Sequence, residues 1–324
     1  MKSILIYRKK RPEFNSIENV FNTLLPYLKL EKIELPFFSK GIKNRLNNII
    51  YIRKKKSIIN HITGHDHYLA LGLRKKNIIL TIHDIEILKR KTGIRRYILK
   101  KLWFDWAIKN SYIVTTISEF TKSELIKLNN YRTPIHVIHN PLTLPIIYKK
   151  KKFHSKCPSI LQIGTKDNKN LIRLIKALEN INCKLLIVGK LTKEQRLLLS
   201  NKRIDYTEKY NLSEREIINE YVRCDILSFI STYEGFGLPI IEAQATGRVV
   251  ITSNLSSMPE IAGDGALLVN PFSVDQIRQG ILRLINDSDL RRDLINKGLK
   301  NITRFEPKNI AKRYQDIHDL ILKK

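Results

Sequence analysis

The sequence predicts an α/β protein built from two parallel sheets in tandem. Short apolar runs alternate with amphipathic stretches, the pattern of βαβ units. The alternation breaks once, at HNPLTLPIIYKKKKFHSKCPS (139–159), where three prolines and four consecutive lysines leave no helix or strand period; it restarts at Ser159. The length of 324 residues suits two domains of roughly 100–200 residues each.

Taken in order, the first half offers strands at Ser3–Tyr7, Ser57–Ile62, Ile78–Ile82, Tyr112–Thr116 and Ile135–Ile138. Its helices fall near Ser16–Leu28, Gly93–Lys109 and Ser118–Leu128. After the linker, strands are expected at Ser159–Ile163, Lys184–Val188, Ile226–Ile230, Val249–Thr252 and Ala266–Val269. Helices follow at Asn168–Leu178, Ser213–Tyr221, Pro239–Thr246, Val274–Ile285, Asp289–Thr303 and Pro307–Leu322. The boundaries drawn are 1–147 for the first domain, 148–306 for the second and 307–324 for a last helix. Ligands of such sheets bind at the carboxyl ends of strands, so a cleft faced by both sheets is the expected active site.

Composition excludes several classes. Three scattered cysteines without a Cys-x-x-Cys pair argue against a disulfide framework and the usual zinc spacings. No apolar run approaches the ~18 residues of a membrane span, and MKSILIYRKKRPEF reads as a first strand rather than a signal peptide. The expectation is a cytoplasmic protein. The net charge of +29 is uneven: residues 1–150 carry +20 and residues 151–324 carry +9. A chain rich in Ile, Lys and Asn acquires part of this from coding bias. The difference between the halves points to an anionic partner of the N-terminal half, whether nucleic acid, lipid or nucleotide.

The strongest constellation is ILSFISTYEGFGLPIIEAQAT (226–246). A buried strand runs into a loop with Glu234, Gly235, Phe236 and Gly237, and Pro239 stands where the first helical turn tolerates proline. Glycines allow close backbone approach to a ligand. The N–H groups of the helix start favour an anion such as a diphosphate. Glu234 on the loop and Glu242 one turn into the helix are acceptors, suited to pairs of sugar hydroxyls.

The string YEGFGLPIIEA, with Glu234 and Glu242, resembles the signature of the retaining group-1 glycosyltransferases, glycosyltransferase family four. The resemblance continues in SSMPEIAGDGALLVNP (256–271) and ILQIGTKDNKNLIRLIKAL (160–178). In the first half it extends through HITGHDHYLA (61–70), LTIHDI (80–85), TISEFTKSEL (116–125) and VIHNPL (137–142). It implies the GT-B architecture: an acceptor-side Rossmann-like domain, a nucleotide-sugar-binding one, and a last helix crossing back to the first. It implies a hexosyl transfer with retention, no cofactor beyond the nucleotide-sugar co-substrate, and an acceptor such as a lipid-linked oligosaccharide of bacterial surface polysaccharide assembly at the inner face of the plasma membrane. The basic first half suits an anionic membrane surface there.

By motif position, Glu234 contacts the donor sugar and Glu242 the ribose hydroxyls, while the backbone of Gly235, Phe236, Gly237 and Leu238 lines sugar and diphosphate. Gly164 allows close approach to the diphosphate and Lys169 neutralises it; a fixed ammonium there stabilises the departing nucleoside diphosphate. The family's usual Arg after that glycine is replaced by Thr165 and Lys166, and Lys166 is assigned to the donor in its stead without the planar fork of Arg. His83 is assigned near the anomeric centre, and Asp84 either orients its imidazole or caps the next segment. On the acceptor or phosphate side stand Arg8, Lys9, Lys10, Arg11 and His65. His61, His65 and His67 fit no standard zinc spacing. Asp287 and Asp289, the only Asp-x-Asp, read as helix capping, so catalysis without a metal is expected. The helix around GIRRYILKKLWFDWAIKNSY (93–112) reads either as a buried helix with a basic edge or as a lipid-facing one. The competing functions are a sugar-nucleotide epimerase on the same fold and, from charge alone, a nucleic-acid-binding protein; the latter lacks any reader motif, so no nucleic acid is expected as partner.

Overall fold

Every strand expected from the apolar runs is present in the structure, a computed structural model that describes residues 3–10 and 16–323. The chain divides into two units, one of residues 1–143 with 306–324 and one of residues 144–305. The first holds β1 (Ser3–Tyr7), β2 (Glu31–Glu34), β3 (Ile59–Ile62), β4 (Ile78–Ile82), β5 (Ile113–Thr116) and β6 (Ile135–Val137). They form one sheet in the order β2-β1-β3-β4-β5-β6. Its pairings are all parallel, as in Ile4 beside Asn60 and Leu80 beside Val114. The central strands are buried along their whole length because helices cover both faces; β1 and β4 are mostly apolar, while β3 and β5 bury Asn60, His61, Thr115 and Thr116.

The second unit holds β7 (Ser159–Ile163), β8 (Lys184–Val188), β9 (Asp205–Lys209), β10 (Ile226–Phe229), β11 (Val249–Ser253) and β12 (Leu267–Val269). Their order, β12-β11-β10-β7-β8-β9, is that of a doubly wound dinucleotide-binding sheet, and the order reverses between β7 and β10. Connections leave these two neighbours toward opposite faces, which opens a crevice beyond their carboxyl ends. The Gly164 loop follows β7 and the Glu234 loop follows β10.

Two strands escape the apolar pattern. β2 (EKIE) and β9 (DYTEK) are the polar edges of the two sheets, each with one neighbour, and edge strands carry charge because one side faces water. The helices Ile42–Lys55 and Lys193–Asn201 were likewise not expected; both are dominated by polar residues. The expected helix over 168–178 splits into a 3-10 turn, Asp167–Lys169, and an α-helix, Leu171–Ala177, because Asn170 between them takes a left-handed conformation with φ of 60°.

The last helix, Pro307–Leu322, belongs to the first unit. Its Ile310, Ala311, Tyr314 and Ile317 join Leu5, Tyr7 and Phe21 in one core cluster. The Arg313 guanidinium donates to the Val137 carbonyl at 2.6 Å, and His318 meets His61 at 3.3 Å between ring nitrogens. Asp287 caps the helix Ser288–Asn301, its Oδ1 accepting from the Leu290 N–H at 2.8 Å, and Asp289 pairs with Arg292 at 2.9 Å. Asp287→Ala is expected to lower the unfolding free energy by about 1 kcal/mol in urea titration, the usual worth of an N-cap.

Candidate active site

The loop after β7 is shaped around one lysine. Gly164 has φ of +89°, and a Cβ there would fall 2.8 Å from Cγ of Lys169. Only glycine lets the Lys169 side chain fold back across the loop. The Gln162 amide clamps both ends of the turn, donating to the carbonyls of Gly164 at 3.1 Å and Lys169 at 3.0 Å. Asn170 ties the loop outward, donating to Ile230 O at 3.1 Å and Pro271 O at 2.7 Å. So held, Lys169 lies over the Phe229 ring at 4.6 Å and places Nζ 2.6 Å from Oε1 of Glu234. Lys166, on the same loop, has an exposed side chain.

Glu234 therefore sits in a made position. Besides Lys169, Asn168 Nδ2 donates to its Oε1 at 3.2 Å and to the Tyr233 carbonyl at 3.1 Å. The loop that follows is pinned from below by the Ser257 hydroxyl, which donates to Phe236 O at 2.6 Å and Glu234 O at 3.0 Å. Gly235 is half-buried; the Phe236 ring turns into the core against Phe305, leaving only backbone to line a site. Gly237, with φ of +121°, turns the chain into the helix Leu238–Thr246, whose first turn carries Pro239. The N–H groups of such a first turn lack intrahelical partners, and the helix dipole adds positive potential.

Glu242 lies farther into that helix and is buried. Its Oε2 accepts from the Tyr221 hydroxyl at 2.5 Å, and burial pushes its carboxyl up to about 7. Burial and the neighbouring Glu242 raise the Tyr221 phenol well above its usual range, so it stays a donor. Oε1 of Glu242 has no bonded partner among the described residues and remains to accept from a ligand.

In the first unit, His83 follows β4 and is buried. Its Nε2 lies 2.8 Å from the Thr63 carbonyl, which can only accept, so the proton sits on Nε2 and Nδ1 keeps its lone pair. Burial lowers its pKa to about 4, which makes the ring neutral at physiological pH. Asp84 does not orient it. Its Oδ1 accepts from the Glu86 N–H at 2.9 Å, opening the short helix Glu86–Lys89, and Oδ2 lies 4.0 Å from Nε2 of His65. Arg8, Lys9, His65 and Asp84 line one cavity of about 360 Å³ together with Trp103. Arg8 forms a bidentate pair with Glu18, Nε donating to Oε1 and Nη2 to Oε2, and Lys9 Nζ donates to Pro36 O at 2.9 Å. Lys10 is exposed, bonded through its backbone N–H to Glu34 at 3.0 Å, and does not line the cavity. Arg11 lies outside the described residues. The three histidines of HITGHDHYLA diverge: His61 is buried against Thr81 and His318, His67 is buried against Trp103, and His65 alone reaches the cavity. Among the described residues no group of three or more His, Cys, Asp or Glu is arranged to hold a metal ion.

The family model for glycosyl transferases group 1 matches residues 146–301, and that for glycosyltransferase family 4 matches residues 16–144. The chain belongs to the group 1 glycosyltransferases. A curated relative, the O-antigen chain mannosyltransferase B of Escherichia coli, is 26% identical over 83% of this chain and 76% of its own. The N-acetylgalactosamine-N,N'-diacetylbacillosaminyl-diphospho-undecaprenol 4-alpha-N-acetylgalactosaminyltransferase of Campylobacter jejuni is 28% identical over 54% of this chain and 51% of its own. Among solved structures, Anabaena HepE in complex with UDP and glucose superposes with a TM-score of 0.80 at 15% identity, covering 99% of this chain and 100% of that one. The shared fold is GT-B.

Sequence reasoning missed four residues that position the site of this glycosyltransferase. Tyr221 ends a helix whose apolar spacing reads as core, and nothing local links it to Glu242. Gln162, Asn168 and Ser257 lie inside strings quoted for the resemblance, so a polar residue flanking Gly164, Lys169 or the Pro-Glu-Ile-Ala-Gly segment was the available signal. Together they hold a cation, a carboxylate and a helix start around one crevice, a set able to bind a sugar hydroxyl and a phosphate side by side.

Proposed function

We propose that this glycosyltransferase moves a hexosyl group from a nucleotide-sugar to a hydroxyl of a lipid-linked saccharide, with retention at the anomeric carbon and without a metal, in the assembly of a bacterial surface polysaccharide. The observation that carries it is the Lys169–Glu234 pair beyond β7 and β10. Donor phosphates compete for the ammonium and sugar hydroxyls donate to the carboxylate, so both partners exchange one another for the ligand. Glu242 accepts from the ribose through Oε1. Lys169 and the start of the helix Leu238–Thr246 offset the charge growing on the leaving diphosphate, the duty a divalent metal performs elsewhere. The departing phosphate itself takes the acceptor proton on the same sugar face, which accounts for retention without a protein nucleophile. His83 Nδ1, a neutral acceptor, serves the donor sugar. The Arg8, Lys9 and His65 cavity receives the acceptor.

The names of two relatives support this substrate class, one an O-antigen chain mannosyltransferase and one acting on a diphospho-undecaprenol saccharide. No helix among the described residues is long and apolar enough to cross a membrane. A thermal-shift panel of UDP-, GDP- and ADP-sugars tests the donor. One member should raise the melting temperature by several degrees at a hundred times its dissociation constant. Transfer should persist in EDTA with the donor's anomeric configuration retained in the product by NMR. A donor turned over without any acceptor into an isomeric sugar would favour the epimerase instead.

A further inference from the structure

The helix of the first unit that starts at Gly93 has two faces of unlike fate. It runs as Gly93–Leu99, continues through a π-helical segment, Lys100–Asp105, and ends in Trp106–Lys109. Its inner face is ordinary core: Phe104, Ala107 and Ile108 are buried, with Leu99, Trp103 and Trp106 packed against them. Its outer face is apolar too. Ile94 is 73% exposed, Tyr97 58%, Ile98 50% and Leu102 62%. The spacing of these four follows the helical period, so they form one stripe rather than scattered exceptions. Scattered exposed apolar side chains are normal; a contiguous stripe marks a covered surface.

The rim of the stripe names what covers it. Lys91 and Arg95 are exposed, and neither is ion-paired among the described residues. Lys101 lies over the Tyr97 ring at 5.7 Å. A helix with large apolar side chains on one face and unpaired cations at its edges matches an interface in which acyl chains meet anionic headgroups. An ordinary protein partner would require paired carboxylates for these cations, whereas an anionic lipid surface supplies them everywhere at once. We infer that the outer face of the helix Gly93–Asp105 docks this enzyme on an anionic phospholipid bilayer, with Ile94, Tyr97, Ile98 and Leu102 inserted below the headgroups.

The inner face of the same helix gives the docking a consequence. Trp103 and Phe104 line the cavity that also holds Arg8, Lys9 and His65. A lipid-borne acceptor, as proposed above, thus meets that cavity within one helix diameter of the bilayer, about 10–12 Å. The docking itself does not depend on the acceptor's identity.

The test sediments the full chain with vesicles of phosphatidylcholine alone and with vesicles containing phosphatidylglycerol. The wild type should pellet with the anionic vesicles only. Ile94→Ser/Ile98→Ser/Leu102→Ser and, separately, Lys91→Glu/Arg95→Glu should each weaken that partitioning by about tenfold or more. Their melting temperatures and their turnover of a water-soluble acceptor should match the wild type, since the altered side chains face outward. The docking is overturned if the wild type stays in the supernatant, or if the serine variant pellets as the wild type does. It is equally overturned if the serine substitutions abolish only self-association, which would make a second copy the occupant. Vesicle binding as expected, in a protein that transfers no sugar to any acceptor, supports the docking and strikes the proposed function instead.

Discussion

Lys169→Ala is expected to lower kcat by two to three orders of magnitude, the usual cost of removing one fixed stabiliser of transition-state charge, about 3–4 kcal/mol. The ammonium is held by Gly164, the Gln162 clamp and the Phe229 ring, so it is in place before any donor arrives. Preorganisation of this kind acts on turnover more than on affinity, so KM should move far less than kcat. Glu234→Ala frees Lys169 and removes the sugar acceptor, so it too should lose activity. The double variant should be little worse than the more damaged single variant, because groups 2.6 Å apart do not act independently. Steady-state kinetics of the four proteins, with melting temperatures alongside, decide the matter. If Lys169→Ala keeps turnover within about threefold while only the melting temperature falls, the pair is structural and the proposed donor site is wrong.

The second large effect belongs to Glu242 and is opposite in sign for stability and binding. Burial raises its carboxyl to about 7, against an ordinary value of 4.5. The folded protein thus holds this proton more tightly than the unfolded chain does. Stability contributed by the group is fully present below the unfolded value, declines as pH rises from about 4.5 to about 7, and is flat beyond. The total is on the order of 3 kcal/mol. Glu242→Gln cannot ionise, so its melting temperature should fall less than that of the wild type between pH 5 and pH 8. Donor binding runs the other way. A ribose hydroxyl bonds a carboxylate more strongly than a carboxylic acid or an amide, so nucleotide-sugar affinity should rise through pH 7 in the wild type. Glu242→Gln should flatten that rise and weaken binding about tenfold at pH 8. Calorimetric titration at pH 6, 7 and 8 checks it; pH-independent affinity shared by both proteins would remove Glu242 from the donor site.

Much of the fold was legible because it rests on local signals. A strand buried on both faces is mostly apolar, and β1 and β4 announce themselves in that way. The loop that carries Glu234 was legible because glycine, proline and two acids stand at fixed separations on contiguous chain. What stayed hidden was set by neighbours distant in sequence. β2 and β9 are strands only because a sheet edge accepts them, and their own residues, EKIE and DYTEK, say nothing apolar. Arg8 reads as a phosphate ligand until Glu18 is found against it, and nothing in HITGHDHYLA shows that the last helix buries His61 beside His318. The Gly93 helix offered two readings that composition could not separate; which face the core left uncovered depends on packing.

The amino-acid order by itself determined two parallel α/β units, the family, and the loop that carries Glu234. These follow from periodicity and from backbone constraints acting within a few residues. Only the tertiary structure decided that Lys169 closes on Glu234, that Tyr221 holds Glu242 and that His83 is neutral with a free lone pair on Nδ1. Those are properties of burial and of contacts between segments as much as 65 residues apart. Charge and hydrogen bonding are fixed by the nearest atoms in space, which the chain brings together only on folding.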